Sequence, residues 1–201
     1  MVVVTQLPDD MTVAAGTFDG CPLEGNALPA NVRALNLLKN RSAEPGVRDV
    51  DSGVTLAGML APDTNDSQRF DRARAAEIIG FVYRVRPGGV ETTNCGATDS
   101  AHRDTHIEMI LSPDDSAPIR RVIVEVTPRW RAAAAAHGID WSTAGLARSL
   151  VGREVLVRGW LMFDAEHAAE SENTHPGGAH DWRATAWELH PVTNLGIVPG
   201  P

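Results

Sequence analysis

Between Ile78 and Val192 five stretches read as β-strands, and one helical stretch falls between the third and the fourth. The strand-like stretches are Ile78–Arg86 (IIGFVYRVR), Asp104–Leu111 (DTHIEMIL), Ile119–Thr127 (IRRVIVEVT), Arg153–Phe163 (REVLVRGWLMF) and Trp182–Val192 (WRATAWELHPV). They are rich in β-branched and aromatic residues and separated by Gly, Pro, Asp and Ser. Pro128 ends the third. The alanine-rich run Arg131–His137 and the segment Ser142–Leu150, with Asp140 or Ser142 as N-cap, are helix formers, and Gly152 closes them. Gly80 and Gly159 fall inside the first and fourth strands, where glycine marks a bulge or a sharp bend.

The second stretch carries a second pattern. With a period of two, Thr105, Ile107, Met109 and Leu111 point to one side and Asp104, His106 and Glu108 to the other. The first side reads as core. The second sets two carboxylates and an imidazole in a row, about 6–7 Å apart. The same alternation puts Val122, Val124 and Val126 inward and Ile123 and Glu125 outward on the third strand, and it buries Trp187 beside Leu189.

Ahead of these strands, residues 1–75 read as an N-terminal extension. Residues 1–30, rich in Pro, Gly and Asp, suggest an arm with little regular structure. Asn31–Arg41 spaces Val32, Leu35 and Leu37/Leu38 as a short amphipathic helix, and Arg72–Glu77 suggests one helical turn. Residues 76–195 form the strand-rich domain and 196–201 a tail. No period of 20–50 residues repeats, which excludes solenoids and propellers.

At 201 residues the chain can bury a substantial core, and its net charge of −8 argues against a general polyanion binder. The basic residues are almost all arginine; Lys39 is the sole lysine, a bias that codon usage accounts for. No apolar run is long enough to span a membrane, and the start MVVVTQLPDD lacks the pattern of a signal peptide, so a cytoplasmic location is expected. The two cysteines, Cys21 and Cys95, have no zinc-site spacing. A bridge between them would instead imply an oxidising compartment, secreted or periplasmic.

Three strands, a helix and two more strands, with the GFVYRV opening at Gly80–Val85 and GREVLVRGWL after the helix, resemble the OB-fold. The resemblance implies a mainly β, five-stranded Greek-key barrel with a helix between strands three and four. The closing TAWELHPVT is similar to a segment of small bacterial proteins, a likeness that brings no activity with it. OB-fold resemblance also implies a ligand on the face of strands two and three, reached from loops 87–103 and 164–181, with strand five beside strand three. Six of the seven histidines then fall on the binding side: His102, His106, His167, His175, His180 and His190.

Imidazoles mixed with carboxylates suit a divalent ion, zinc or manganese more than calcium. The expected metal ligands are His106 and Glu108, with Glu125, His190 and His167 as partners. Metal-dependent phosphodiester hydrolysis, resembling the thermonuclease branch of OB-like barrels, would place Glu108 and Glu125, with Asp104, at the ion and Arg121, or Arg103 or Arg129, on the phosphate. The alternative is a non-catalytic module binding single-stranded nucleic acid, an oligosaccharide or a protein. Phe81, Tyr83, Trp130, Trp160 and Trp182 are its candidate stacking surfaces, and Arg84, Arg86, Arg103, Arg120 and Arg121 its basic rim. A polar sheet face with no ligand produces the same alternation.

Overall fold

The computed structural model describes residues 3–4, 8 and 11–199. Among these residues six strands form one sheet: β1 (Val3–Val4), β2 (Ala75–Pro87), β3 (Thr105–Ile110), β4 (Val122–Val126), β5 (Glu154–Phe163) and β6 (Trp187–Ile197). β2 pairs antiparallel with both β3 and β5, β3 antiparallel with β4, and β4 parallel with β6. The antiparallel β5–β6 pairing closes these five strands into a barrel, while β1 adds two residues to β6. The protein is therefore a mainly β, five-stranded closed barrel with few helices.

The longest strand shows how the barrel turns. β2 holds β5 through Ala75–Phe81 and β3 through Phe81–Pro87, with a register shift between Val82 and Arg84. Gly80 lies before that shift and serves a different purpose. A Cβ there would lie 2.9 Å from the Ile110 carbonyl oxygen and 2.2 Å from Leu56 Cδ2, so glycine lets helix α2 (Leu56–Leu60) lie close against the strand. Gly159 does sit at a bulge: the β5–β6 register shifts on both sides of it, and a Cβ there would lie 2.7 Å from the Pro191 carbonyl oxygen.

Between β4 and β5 run α3 (Pro128–Ala136) and α4 (Thr143–Leu150). Thr127 caps the first by accepting from Trp130 N, with Pro128 in the first turn where its missing N–H costs nothing. Ser142 caps the second, and Asp140 in turn accepts from the Ser142 hydroxyl. Helix α1 (Ala30–Lys39) occupies the stretch expected to be helical near residues 31–41.

Several boundaries differ from expectation. The helical turn expected at 72–77 is not there; β2 begins at Ala75 because its N-terminal half pairs with β5. β4 is shorter than 119–127, since Pro118–Arg120 form a 3-10 turn. Leu111 lies beyond the end of β3 and is exposed rather than core-facing. The last strand runs 187–197 rather than 182–192. Its expected beginning is held as loop by buried Asp66, which accepts from Thr185 Oγ1 at 2.6 Å, and its end continues along β5 through Ile197 into the expected tail.

The core joins both parts of the chain. Ile107, Met109, Val122, Val124, Val126, Trp187 and Leu189 fill it as the alternation indicated, together with Trp130 and Leu146 from the helices. Val13, Val54, Leu56 and Met59 of the extension pack into the same cluster. The arm expected over residues 1–30 lies partly outside the described residues. From residue 11 onward it is tied down, most firmly by a Cys21–Cys95 disulfide. Among the described residues no helix is long and apolar enough to cross a membrane.

Candidate metal centre

The polar row of β3 is covered rather than solvated. Asp104, His106 and Glu108 are at most 5% exposed, and so are Glu125, Glu188 and His190. Strand pairing gathers them: His106 sits opposite Glu125, and the parallel pairing of Ile123 with Glu188 and Val124 with Leu189 runs Glu125 alongside His190. Loop residues and the end of α1 close over this face, bringing Lys39, Glu91, Asp164, His167 and Arg183 to it.

Asp104, Glu125 and His190 each offer one ligand atom, and these atoms lie within 4.8 Å of one another. That span fits two ligands on opposite sides of an ion with bonds of about 2.0–2.6 Å. Asp104 Oδ2 accepts from Asn94 at 3.0 Å, whereas its Oδ1 is buried without a partner. His190 Nε2, 3.8 Å from Asp104 Oδ2, is likewise buried and unpartnered. His190 Nδ1 faces Glu188 at 3.3 Å and Glu125 at 3.5 Å.

Burial and mutual charge shift all three groups. Burial pushes the Asp104 carboxyl up to about 7, and burial with the nearby Glu188 charge raises Glu125. Burial alone would push the His190 imidazole down. Its bond to Glu188 and the charges of Glu125 and Asp104 outweigh that and hold it at about 9. Two carboxyls raised by burial and an imidazole raised by its acidic neighbours thus crowd one buried space, where a divalent ion would compete with protons for the same atoms.

The other ionisable residues on this face are matched to partners. Glu108 accepts from Arg84 Nη2 at 2.6 Å and Arg121 Nη1 at 2.9 Å, with Arg86 Nε at 3.4 Å. Burial raises its carboxyl, and the bond and charge of Arg84 outweigh that to leave it lowered. Arg183 Nη1 meets Glu188 at 2.7 Å and helps hold that carboxyl down to about 2 against the effect of burial. Lys39 lies 2.7 Å from Glu91 and 3.3 Å from Asp164, and Asp164 also accepts from His167 Nδ1 at 2.9 Å. That bond is the largest influence raising His167 to about 9.

His106 has its tautomer assigned by its neighbours. Arg86 Nη2 can only donate, so at 3.2 Å it meets a lone pair on Nε2, and Nδ1–H is left to donate to Glu125 at 2.9 Å. Burial and the Arg86 charge lower the imidazole to about 3, so the ring is neutral. A cavity of about 230 Å³ opens beside it, bordered by Glu125, Glu188, His167, Arg86, Arg183 and Trp182.

Two expected ligands, Glu125 and His190, are in the triad, with Asp104 from the polar row as the third member. His106 is one bond away, on Glu125. Glu108 and Arg121 are paired with each other, and His167 belongs to the Asp164–Lys39 group. The wider histidine cluster does not assemble: His102 is bonded to Asp99 and Asp19 near the disulfide, and His175 and His180 are exposed. Nor do the arginines form a rim, since Arg84, Arg86 and Arg121 converge on Glu108 and Arg120 pairs with Asp115. Trp130 is buried, Trp160 lies under Arg41, and Tyr83 lies under Arg121. Lys39 and Arg183 had no signature in the sequence beyond Lys39 being the sole lysine. No protein-family model, curated protein or solved structure matches the chain.

Proposed function

We propose that the protein is an OB-like barrel that binds a divalent cation between Asp104, Glu125 and His190, with the adjoining cavity as its working side. The parallel β4–β6 pairing and the position of α3 and α4 between β4 and β5 support the OB-like reading. The observation that carries the metal reading is the pair of buried, unpartnered atoms, Asp104 Oδ1 and His190 Nε2, within a three-residue set of the right span. A buried polar atom without a partner is costly, and a ligand bond removes that cost.

One nitrogen and two carboxylate donors favour zinc or manganese over calcium. Bound there, the ion would act as a Lewis acid toward a group in the cavity, the chemistry metal-dependent hydrolysis requires. Glu125 borders both the triad and the cavity, and His106 orients it. Arg86 and Arg183 line the cavity and Arg121 does not, so any clamp on a phosphate would come from those two. The Cys21–Cys95 disulfide supports an oxidising, extracytoplasmic setting rather than the cytoplasmic one first expected.

Metal analysis after incubation with zinc, manganese or calcium and desalting tests the reading. About one equivalent of zinc or manganese is expected, falling below about a tenth in Asp104→Asn and His190→Ala. Less than about a tenth in the wild-type protein for all three metals would overturn it.

A further inference from the structure

We infer that the cavity beside the triad is a subsite for a small oxyanion, a phosphoryl or carboxylate group, held by Arg183 and Arg86 against Trp182. The inference is attached to the proposed metal site because Glu125 borders both, but its main observation is independent of any metal. Arg183 is 1% exposed and lines the cavity. Its Nε donates to the Thr185 carbonyl at 2.7 Å and its Nη1 to Glu188 at 2.7 Å, while Nη2 is buried without a partner. A guanidinium positioned by two of its nitrogens, with a third left over, is prepared for an acceptor that the protein itself does not supply.

The surroundings select the kind of acceptor. The Arg86 and Arg183 guanidinium carbons lie 5.8 and 5.2 Å from the Trp182 ring centre, so two cations flank one indole. His167, cationic through its bond to Asp164, borders the same space. The carboxylates lining the cavity are already engaged: Glu125 by His106, Glu188 by Arg183, and Glu91 by Lys39. Among the cations, Arg183 Nη2 is the donor left without a partner, while Arg86, already donating to Glu108, Pro87 and His106, adds its charge. Planar forked donors match oxyanions in particular. About 230 Å³ limits the ligand to a small molecule.

Calorimetric titration of inorganic phosphate and of acetate, at fixed ionic strength, into metal-free and zinc-loaded full-length protein tests this. One-to-one binding of at least one anion is expected, weakened about tenfold in Arg183→Lys, which keeps a charge on Glu188 but lacks the second nitrogen. Arg86→Gln should weaken it about fivefold and carries the test if Arg183→Lys fails to fold, whereas Arg120→Gln should leave it unchanged. Phosphate binding without acetate assigns a phosphoryl ligand, the reverse a carboxylate, and either supports the inference. Absence of binding by both anions in both forms overturns it, even if the metal binds; so does affinity that neither Arg183→Lys nor Arg86→Gln changes. Anion binding by a protein that takes up no metal sustains the subsite and removes the metal reading alone.

Discussion

His106 Nδ1 lies 2.9 Å from Glu125 Oε1, joining two residues that face each other across the β3–β4 pairing. One is a candidate ligand and the other a neutral ring whose remaining nitrogen is engaged by Arg86. The arrangement resembles the outer layer of a metal site, where a hydrogen-bonded neighbour fixes a ligand's orientation. Replacing His106 by alanine should therefore leave about one equivalent bound at saturating zinc but weaken affinity about 10–100-fold. Competition with a chromophoric chelator measures this. Complete loss of the metal would make His106 a ligand itself, and unchanged affinity would remove it from the site.

Lys39 is a second test, this time of stability. Its ammonium is 1% exposed and held by Glu91 and Asp164; burial favours the neutral form, but the two carboxylates outweigh it and raise the pKa well above the ordinary lysine value. Lys39→Met would leave Glu91 without its cation and Asp164 with His167 alone, at a cost of about 3–5 kcal/mol. Urea unfolding should show a lower midpoint with little change in slope. Adding Glu91→Gln should recover part of the loss, because that stranded charge is then gone. A Lys39→Met variant as stable as the wild type would mean that the pair contributes nothing net.

His167 makes the stability pH-dependent in a defined direction. Its folded pKa of about 9 exceeds the ordinary 6.5, so the folded form holds the proton more tightly than the unfolded chain. The contribution is complete below about pH 6.5 and is lost as pH rises through about 9. Because the ring is partly exposed, about 1–2 kcal/mol remains after solvent screening. The difference in unfolding free energy between wild type and His167→Gln should therefore narrow from pH 6 to pH 10. Comparing the two proteins cancels the titration of Asp104 and His190, which both share. A difference that stays constant over that range would show that His167 and Asp164 do not interact as drawn.

How much of this was legible in the sequence depends on how far apart the partners are. The two-residue period of DTHIEMIL separated Ile107 and Met109 from Asp104, His106 and Glu108 because strand geometry is local. Glu125 and His190 could be placed nearby once five strands were assumed to close in the OB-like order. The cover over this face left no such trace. Lys39 reaches Glu91 across 52 positions and Asp66 reaches Thr185 across 119, and pairings of that kind impose no periodicity on either segment. The histidine count misled for a related reason: His175 and His180 lie on a loop whose residues are not constrained to face inward. The strand glycines were legible as special but not as to why, since Gly159 marks a bulge and Gly80 a close approach by Leu56.

The disulfide connects the extension to the proposed site. Cys21 and Cys95 are 74 positions apart, and Cys95 adjoins Asn94, whose side chain donates to Asp104. Closing a loop of that length restricts the unfolded chain by about 4.5 kcal/mol in the chain-entropy treatment. A Cys21→Ser/Cys95→Ser protein should unfold at correspondingly lower urea. It should also bind zinc more weakly, because the loop that positions Asn94 loses its covalent tie and Asp104 loses an orienting donor. Asn94→Ala separates the two effects: it should reproduce the weaker zinc binding while retaining most of the stability. If the cysteine-free protein binds zinc as tightly as the wild type, the disulfide stabilises the fold alone and the coupling to Asp104 is absent.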